Sequence, residues 1–137
     1  MKKGYLRIFG RKYDLKQWEV LLCRSPESNL LSWEGKFIVA KSVNTITKNI
    51  IDNRKASIRI HDDGEEYSGR ILPQVTATME INNTAYLCVS FIGQGILQCY
   101  DIGRCSDLTI FDIIKKLESN KTTKTKYEEK ICLSSKR

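Results

Sequence analysis

The run Ala56-Ser-Ile-Arg-Ile-His-Asp-Asp-Gly-Glu-Glu-Tyr-Ser-Gly-Arg-Ile71 decides how this chain folds. Apolar and polar residues alternate on both sides of Asp63-Gly64, and Asp-Gly is a strong signal for a two-residue type I′ hairpin because both turn positions need positive φ. Closing the chain there sets every cross-strand pair. Ile60 faces Tyr67, Ile58 faces Gly69 and Ala56 faces Ile71, while His61 faces Glu66, Arg59 faces Ser68 and Ser57 faces Arg70. One side of the ribbon is therefore apolar and the other polar, and a slip of one residue would mix them. An isolated hairpin is marginal in water, so the rest of the chain must bring further strands to the apolar side.

Upstream, Tyr5 to Phe9, Trp18 to Cys23 and Lys36 to Lys41 are β-prone runs, and Arg24 to Ser32 carries loop chemistry in Ser25-Pro26 and Ser28-Asn29. Ser42 to Asn53 reads either way: Val43, Ile46 and Ile50 suit one stripe of a short helix, but the Thr and Asn content suits an extended connection. Downstream, Pro73 is expected to break the ladder before Val75 to Ile81. Asn82-Asn83 reads as a turn into Ala85 to Ile92, and Gly93-Gln94-Gly95 as another turn from which Ile96 to Ile102 returns. Ser106 reads as the N-cap of a helix with Leu108, Phe111, Ile114 and Leu117 on one stripe. The expected fold is mainly β, a small antiparallel β-barrel of about six to seven strands with a C-terminal amphipathic helix.

Length and charge set the organisation. The 137 residues, 41% of them hydrophobic, suffice for one core. The net charge of +7 is uneven. From Lys115 to Arg137 there are eight basic and three acidic residues, leaving fifteen basic against thirteen acidic before it. Residues 1–118 are expected to form a single domain and residues 119–137 a basic, flexible tail. The opening Met1-Lys2-Lys3-Gly4-Tyr5 leads to Arg7, Arg11 and Lys12 instead of an apolar signal core, and no run is long enough to span a membrane, so a cytoplasmic location is expected.

Chemistry-bearing motifs are sparse. The five cysteines lack a Cys-x-x-Cys pair, and His61 is the only histidine, so no metal site is expected. Cys88 and Cys99 could meet across a hairpin, but buried free thiols are the plainer reading. His61 beside Glu66 reads as a surface cross-strand pair, not a catalytic one, and the acids of Asp62 to Glu66 have no calcium-loop spacing. No enzyme, catalytic residue or cofactor is expected. The remaining feature is cationic: Arg7 and Arg11, with Lys12 adjoining them, the planar guanidinium groups suiting phosphates and guanine edges.

Here the chain resembles a PilZ domain, the small β-barrel family of cyclic di-GMP receptors. The resemblance rests on Arg7-Ile-Phe-Gly-Arg11 and Ser32-Trp-Glu-Gly35, followed by Gly69-Arg-Ile-Leu72, Tyr86-Leu-Cys-Val-Ser-Phe91 and the Asp107 to Leu117 helix. It departs at Leu30, where the family has Asp or Asn, with Asn29 one place away. The resemblance implies that Arg7 and Arg11 hold phosphates and guanine edges, that Ser32 binds a phosphate or base, that Asn29 replaces the missing acid or amide, and that Gly35 lets the backbone approach.

The reading that follows is a non-enzymatic regulatory or adaptor barrel binding cyclic di-GMP in a PilZ-like manner. One alternative is a protein-interaction module of the immunity or phage-accessory kind, with a protein partner, no small ligand and an exposed apolar patch centred on Trp18, Trp33 or Tyr86. Another is a nucleic-acid-binding barrel with the basic tail supplying charge, disfavoured because the body is nearly neutral. Nucleotide sensing predicts that Arg7, Arg11 and Ser32 converge on one concave spot.

Overall fold

Asp63 and Gly64 both take positive φ, 47° and 97°, and the ribbon they close has the register expected of it, from Ala56 opposite Ile71 to Asp62 opposite Glu65. The computed structural model describes residues 2–8, 10–25, 30–41, 56–102, 106–107, 112, 115, 123–124 and 129–135. Seven strands carry the fold: β1 (Lys2–Ile8), β2 (Arg11–Ser25), β3 (Leu30–Ala40), β4 (Ala56–Asp62), β5 (Glu65–Ile81), β6 (Thr84–Asp101) and β9 (Glu129–Ser134). Two-residue strands β7 (Ser106–Asp107) and β8 (Thr123–Lys124) add short pairings to β6 and β9.

The pairing is antiparallel throughout, in the order β1-β4-β5-β6-β3-β2, and β2 pairs back onto β1, so six strands close into a ring. Two long strands make closure possible. β2 lies against β1 from Arg11 to Asp14 and against β9 from Glu19 to Arg24, all on one edge, while β3 takes the other. An irregularity between Leu15 and Gln17 adds one residue, which lets Leu15 and Trp18 both point inward.

The inward residues form one core. Leu6 and Ile8 from β1, Trp18 and Val20 from β2, Phe37 and Val39 from β3, Ile58 and Ile60 from β4, Tyr67 and Ile71 from β5, and Leu87, Val89 and Phe91 from β6 are all buried. Each such side chain contributes about 1.5–3 kcal/mol relative to an exposed one. Tyr67 donates a hydrogen bond to Glu65 Oε2, so its hydroxyl is partnered at the edge of the core.

Beyond the first hairpin, the chain departs from the expected meander. β5 runs through Pro73 without a break, because β4 ends opposite Ile71 and no described strand pairs that edge of β5 beyond it, so the missing N–H is tolerated. Gly93-Gln94-Gly95 is not a turn. β6 passes through it and pairs with β5 over nearly its whole length, from Ile81 opposite Thr84 to Glu65 opposite Asp101. The Asn82-Asn83 turn is present, with φ of 50° and 65°. Since Cys88 and Cys99 lie on one strand, they cannot face each other; Cys99 is buried and neither forms a disulfide.

Two expectations for the C-terminal part change. Ser106 and Asp107, expected to start a helix, extend the sheet opposite Asp101 and Tyr100. The rest of that predicted helix lies outside the described residues except for Asp112 and Lys115, as does Ser42 to Asn53. Within the stretch expected as a solvated tail, β9 is a strand whose Ile131 and Leu133 are buried in the core. Its end is held by paired hydrogen bonds: the Trp18 N–H donates to Ser135 Oγ and the Ser135 N–H donates to the Trp18 carbonyl, each 3.0 Å. Lys2 Nζ donates to the Ser134 carbonyl at 3.2 Å and pairs with Asp62 at 3.4 Å, joining β9 to β1 and β4. No helix among the described residues is long and apolar enough to cross a membrane.

Candidate functional site: a cationic trough on the outer sheet face

Residues directly opposite each other on paired strands share a face, so the register alone shows which outward side chains line up. Lys12 is opposite Arg7, Arg7 opposite Ser57, Ser57 opposite Arg70 and Arg70 opposite Gln94. This row crosses β2, β1, β4, β5 and β6, about 19 Å at the usual strand spacing. The next row places Tyr5, Arg59, Ser68 and Gln98 side by side. Together they line an open trough of about 680 Å³, and none of its lining residues is acidic. Four cations thus converge in a body whose charges otherwise nearly balance.

Local contacts position these groups. Lys12 Nζ lies 3.8 Å from the centre of the Tyr5 ring, a cation–π contact, and the Tyr5 ring meets His61 edge-on at 6.0 Å. Arg59 Nε pairs with Glu66 at 3.1 Å, but with the arginine side chain 57% exposed the pair is a weak restraint. One end of the trough is shaped by a bulge. Ser68 is opposite Gln98 and Arg70 opposite Gln94, so Gly95, Ile96 and Leu97 together oppose Gly69. Gly95 takes a φ of 79°. Leu97 turns into the core while Ile96 is thrown outward, 86% exposed, beside Gln94 and Gln98.

Trp33 explains the bulge from inside. A Cβ on Gly69 would lie 2.7 Å from Trp33 Cζ2 and one on Gly93 would overlap the indole, so both strands bend around the ring. Trp33 Nε1 donates to the Gly95 carbonyl at 3.1 Å. Trp18 and Trp33 are both buried, so neither centres a surface patch.

The residues singled out by the sequence do not come together. Arg7 lines the trough, but Arg11 is opposite Ile8 and so belongs to the other face of the β1–β2 hairpin. Lys12 takes the place beside Arg7 that Arg11 was expected to hold. Ser32 is opposite Cys23, eleven residues along β2 from Lys12, or about 35 Å of strand. Gly35 lines a separate concavity with Leu72 and Ile92, and a Cβ there would overlap the Glu19 carbonyl oxygen and lie 2.8 Å from Phe91 Cζ. The close approach that this glycine permits is made by its own neighbours. Asn29 lies outside the described residues.

No protein family, curated protein or solved structure matches the chain.

The trough has no nucleophile paired with a base, and among the described residues no group of three or more His, Cys, Asp or Glu could hold a metal ion. Four cations and no carboxylate in its lining give it the means to hold an anion. Arginine offers a planar donor fork that matches a phosphate or carboxylate with two parallel hydrogen bonds, and Ser57, Ser68, Gln94 and Gln98 supply neutral donors and acceptors between the charges. Sequence reasoning found Arg7 with Lys12 in the same cationic group, but missed Arg59 and Arg70 as their companions. Ser57 opposite Arg70 was legible in the hairpin; the pairing of β1 to β4, which joins the two halves, has no local signal.

Proposed function

We propose that the ring is a small β-barrel serving as a non-enzymatic binding module, regulatory or adaptor in role, that takes a phosphate-bearing ligand in the trough above Ser57. The observation that carries this reading is Arg7 directly opposite Lys12, with Arg70 across Ser57 in the same row. Like charges placed opposite each other across a ladder cost stability. A bound anion offsets that cost, because each guanidinium then gains a charge-assisted partner.

Cyclic di-GMP, with two phosphates and two guanine edges, is the first ligand to try, with Arg7, Lys12 and Arg70 as its holders instead of the Arg7–Arg11 pair. Calorimetric titration of the full chain tests this. Heat is expected for the wild type and for Arg11→Ala, and none for Arg70→Ala. Heat that persists in Arg70→Ala would remove the trough from the reading, and no heat from the folded wild type would remove this ligand.

A second reading rests on a different surface. Leu72 and Ile92 are opposite each other, 39% and 62% exposed, in the concavity that Gly35 lines. An apolar pair on an outer sheet face suits a protein partner. Pull-down with the wild type against Ile92→Glu separates the two, since that change leaves the trough intact.

A further inference from the structure

We infer that the trough is built for an extended single strand of nucleic acid lying across the sheet, an inference that rests on the phosphate-binding reading above. Two chemistries stand side by side along its length. At one end Lys12, Arg7 and Arg70 spread their charge over three strand spacings, about 14 Å, more than one phosphate group can span. At the other, the bulge at Gly95 holds Ile96 out of the sheet between Gln94 and Gln98. An apolar side chain flanked by amides offers an unstacked base an apolar surface to pack on and hydrogen-bonding groups for its edges.

A duplex fits this arrangement poorly. Reading base edges in a duplex requires an element that enters a groove, and here the reading groups sit within a concavity. An acidic protein would also use the cations and pack on Ile96, but nothing in it calls for amides on both sides of that side chain. The pairing of a phosphate track with a base platform is what favours the single strand.

The test is fluorescence anisotropy of the full chain with labelled oligothymidine of about 12 nucleotides, a length within the usual single-strand site range. A duplex of the same length and heparin serve as competitors. The single strand should bind at least about tenfold more tightly than the duplex. With three or four phosphate contacts, the slope of log K against log salt should be about −2 to −3. Arg70→Gln should flatten that slope by about 0.7, the share of one contact. Ile96→Ser, at an exposed site, should weaken binding about fivefold or more without changing the slope, since it removes apolar contact surface and no charge.

Duplex or heparin binding as tight as the single strand, or an Ile96→Ser variant that binds like the wild type, would overturn the inference. Binding unchanged in the Arg7→Gln, Arg70→Gln double variant would assign nucleic acid to the basic C-terminal stretch and overturn it as well. If cyclic di-GMP gives Arg70-dependent heat and the oligonucleotide does not bind, this inference falls and the phosphate-binding reading stands; if neither binds, both fall.

Discussion

Trp33 donates its indole N–H to the carbonyl of Gly95, 3.1 Å away, and thereby ties the centre of the core to the bulge that shapes the outer trough. The same ring lies against the backbone of Gly93, where a methyl group has no room. Core and candidate site are therefore mechanically linked through one side chain.

Gly93→Ala tests that link. Overfilling a packed core costs about 1–3 kcal/mol, so the unfolding free energy from urea denaturation should drop by that amount, and binding in the trough should weaken as the bulge shifts. Gly64→Ala acts on the Asp63-Gly64 turn instead and should lower stability while leaving the trough unchanged in affinity. Equal stability of Gly93→Ala and wild type would show that the indole can move aside.

Arg7→Glu should stabilise the free protein. It replaces the like-charged Arg7–Lys12 pair with an opposite-charged one, a gain of about 0.2–1 kcal/mol across a ladder. The gain should shrink in about 1 M salt, where screening acts within about 3 Å. Phosphate-ligand binding should be lost in the same variant. Denaturation curves at low and high salt check the first part, and a variant less stable than wild type at low salt would contradict it.

The C-terminal strand is structural. Ile131 is 2% exposed, and truncating a buried isoleucine costs about 2–5 kcal/mol, so Ile131→Ala should lower the denaturation midpoint sharply. The exposed neighbour Cys132→Ser should change stability by less than about 0.5 kcal/mol. Similar midpoints for the two variants would mean that β9 does not hold the ring.

Tyr67 predicts an alkaline limit. Burial, reinforced by its hydrogen bond to Glu65 and that carboxylate's charge, pushes the hydroxyl well above the ordinary tyrosine value. In the unfolded chain it ionises near pH 10, about its unperturbed value. The folded state favours the protonated form, so this group's stability is fully present below about pH 10 and is lost as pH rises beyond it, by about 1.4 kcal/mol per unit. Tyr67→Phe should be less stable at neutral pH by about 1 kcal/mol, the size of a lost hydrogen bond, yet show a flatter decline above about pH 10. Parallel alkaline declines in the two proteins would show that other groups set the limit.

Local chemistry made the hairpin legible. Only residues that accept positive φ suit Asp63-Gly64 and Asn82-Asn83, and a period of two then assigns Ile58, Ile60 and Tyr67 to the buried side. The reading failed where one local signal has two outcomes. Gly93-Gln94-Gly95 can close a hairpin or bulge a continuous strand, and Trp33, sixty residues earlier in the chain, selects the bulge by packing on Gly93. Arg-x-x-x-Arg looks like one site in the sequence, yet a tight turn at Gly10 puts Arg7 and Arg11 on opposite faces.

From its sequence alone, this protein had a β-rich nature, the position and register of its central hairpin, and the greasy side of that ribbon. Local backbone preference and side-chain alternation are enough for those. Which strands became neighbours was settled only by closing the ring, since pairing β1 with β4 or seating β9 against β2 depends on filling a shared interior with side chains far apart in the chain. The trough exists for the same reason: its cations come from four strands, and no window of sequence holds them together.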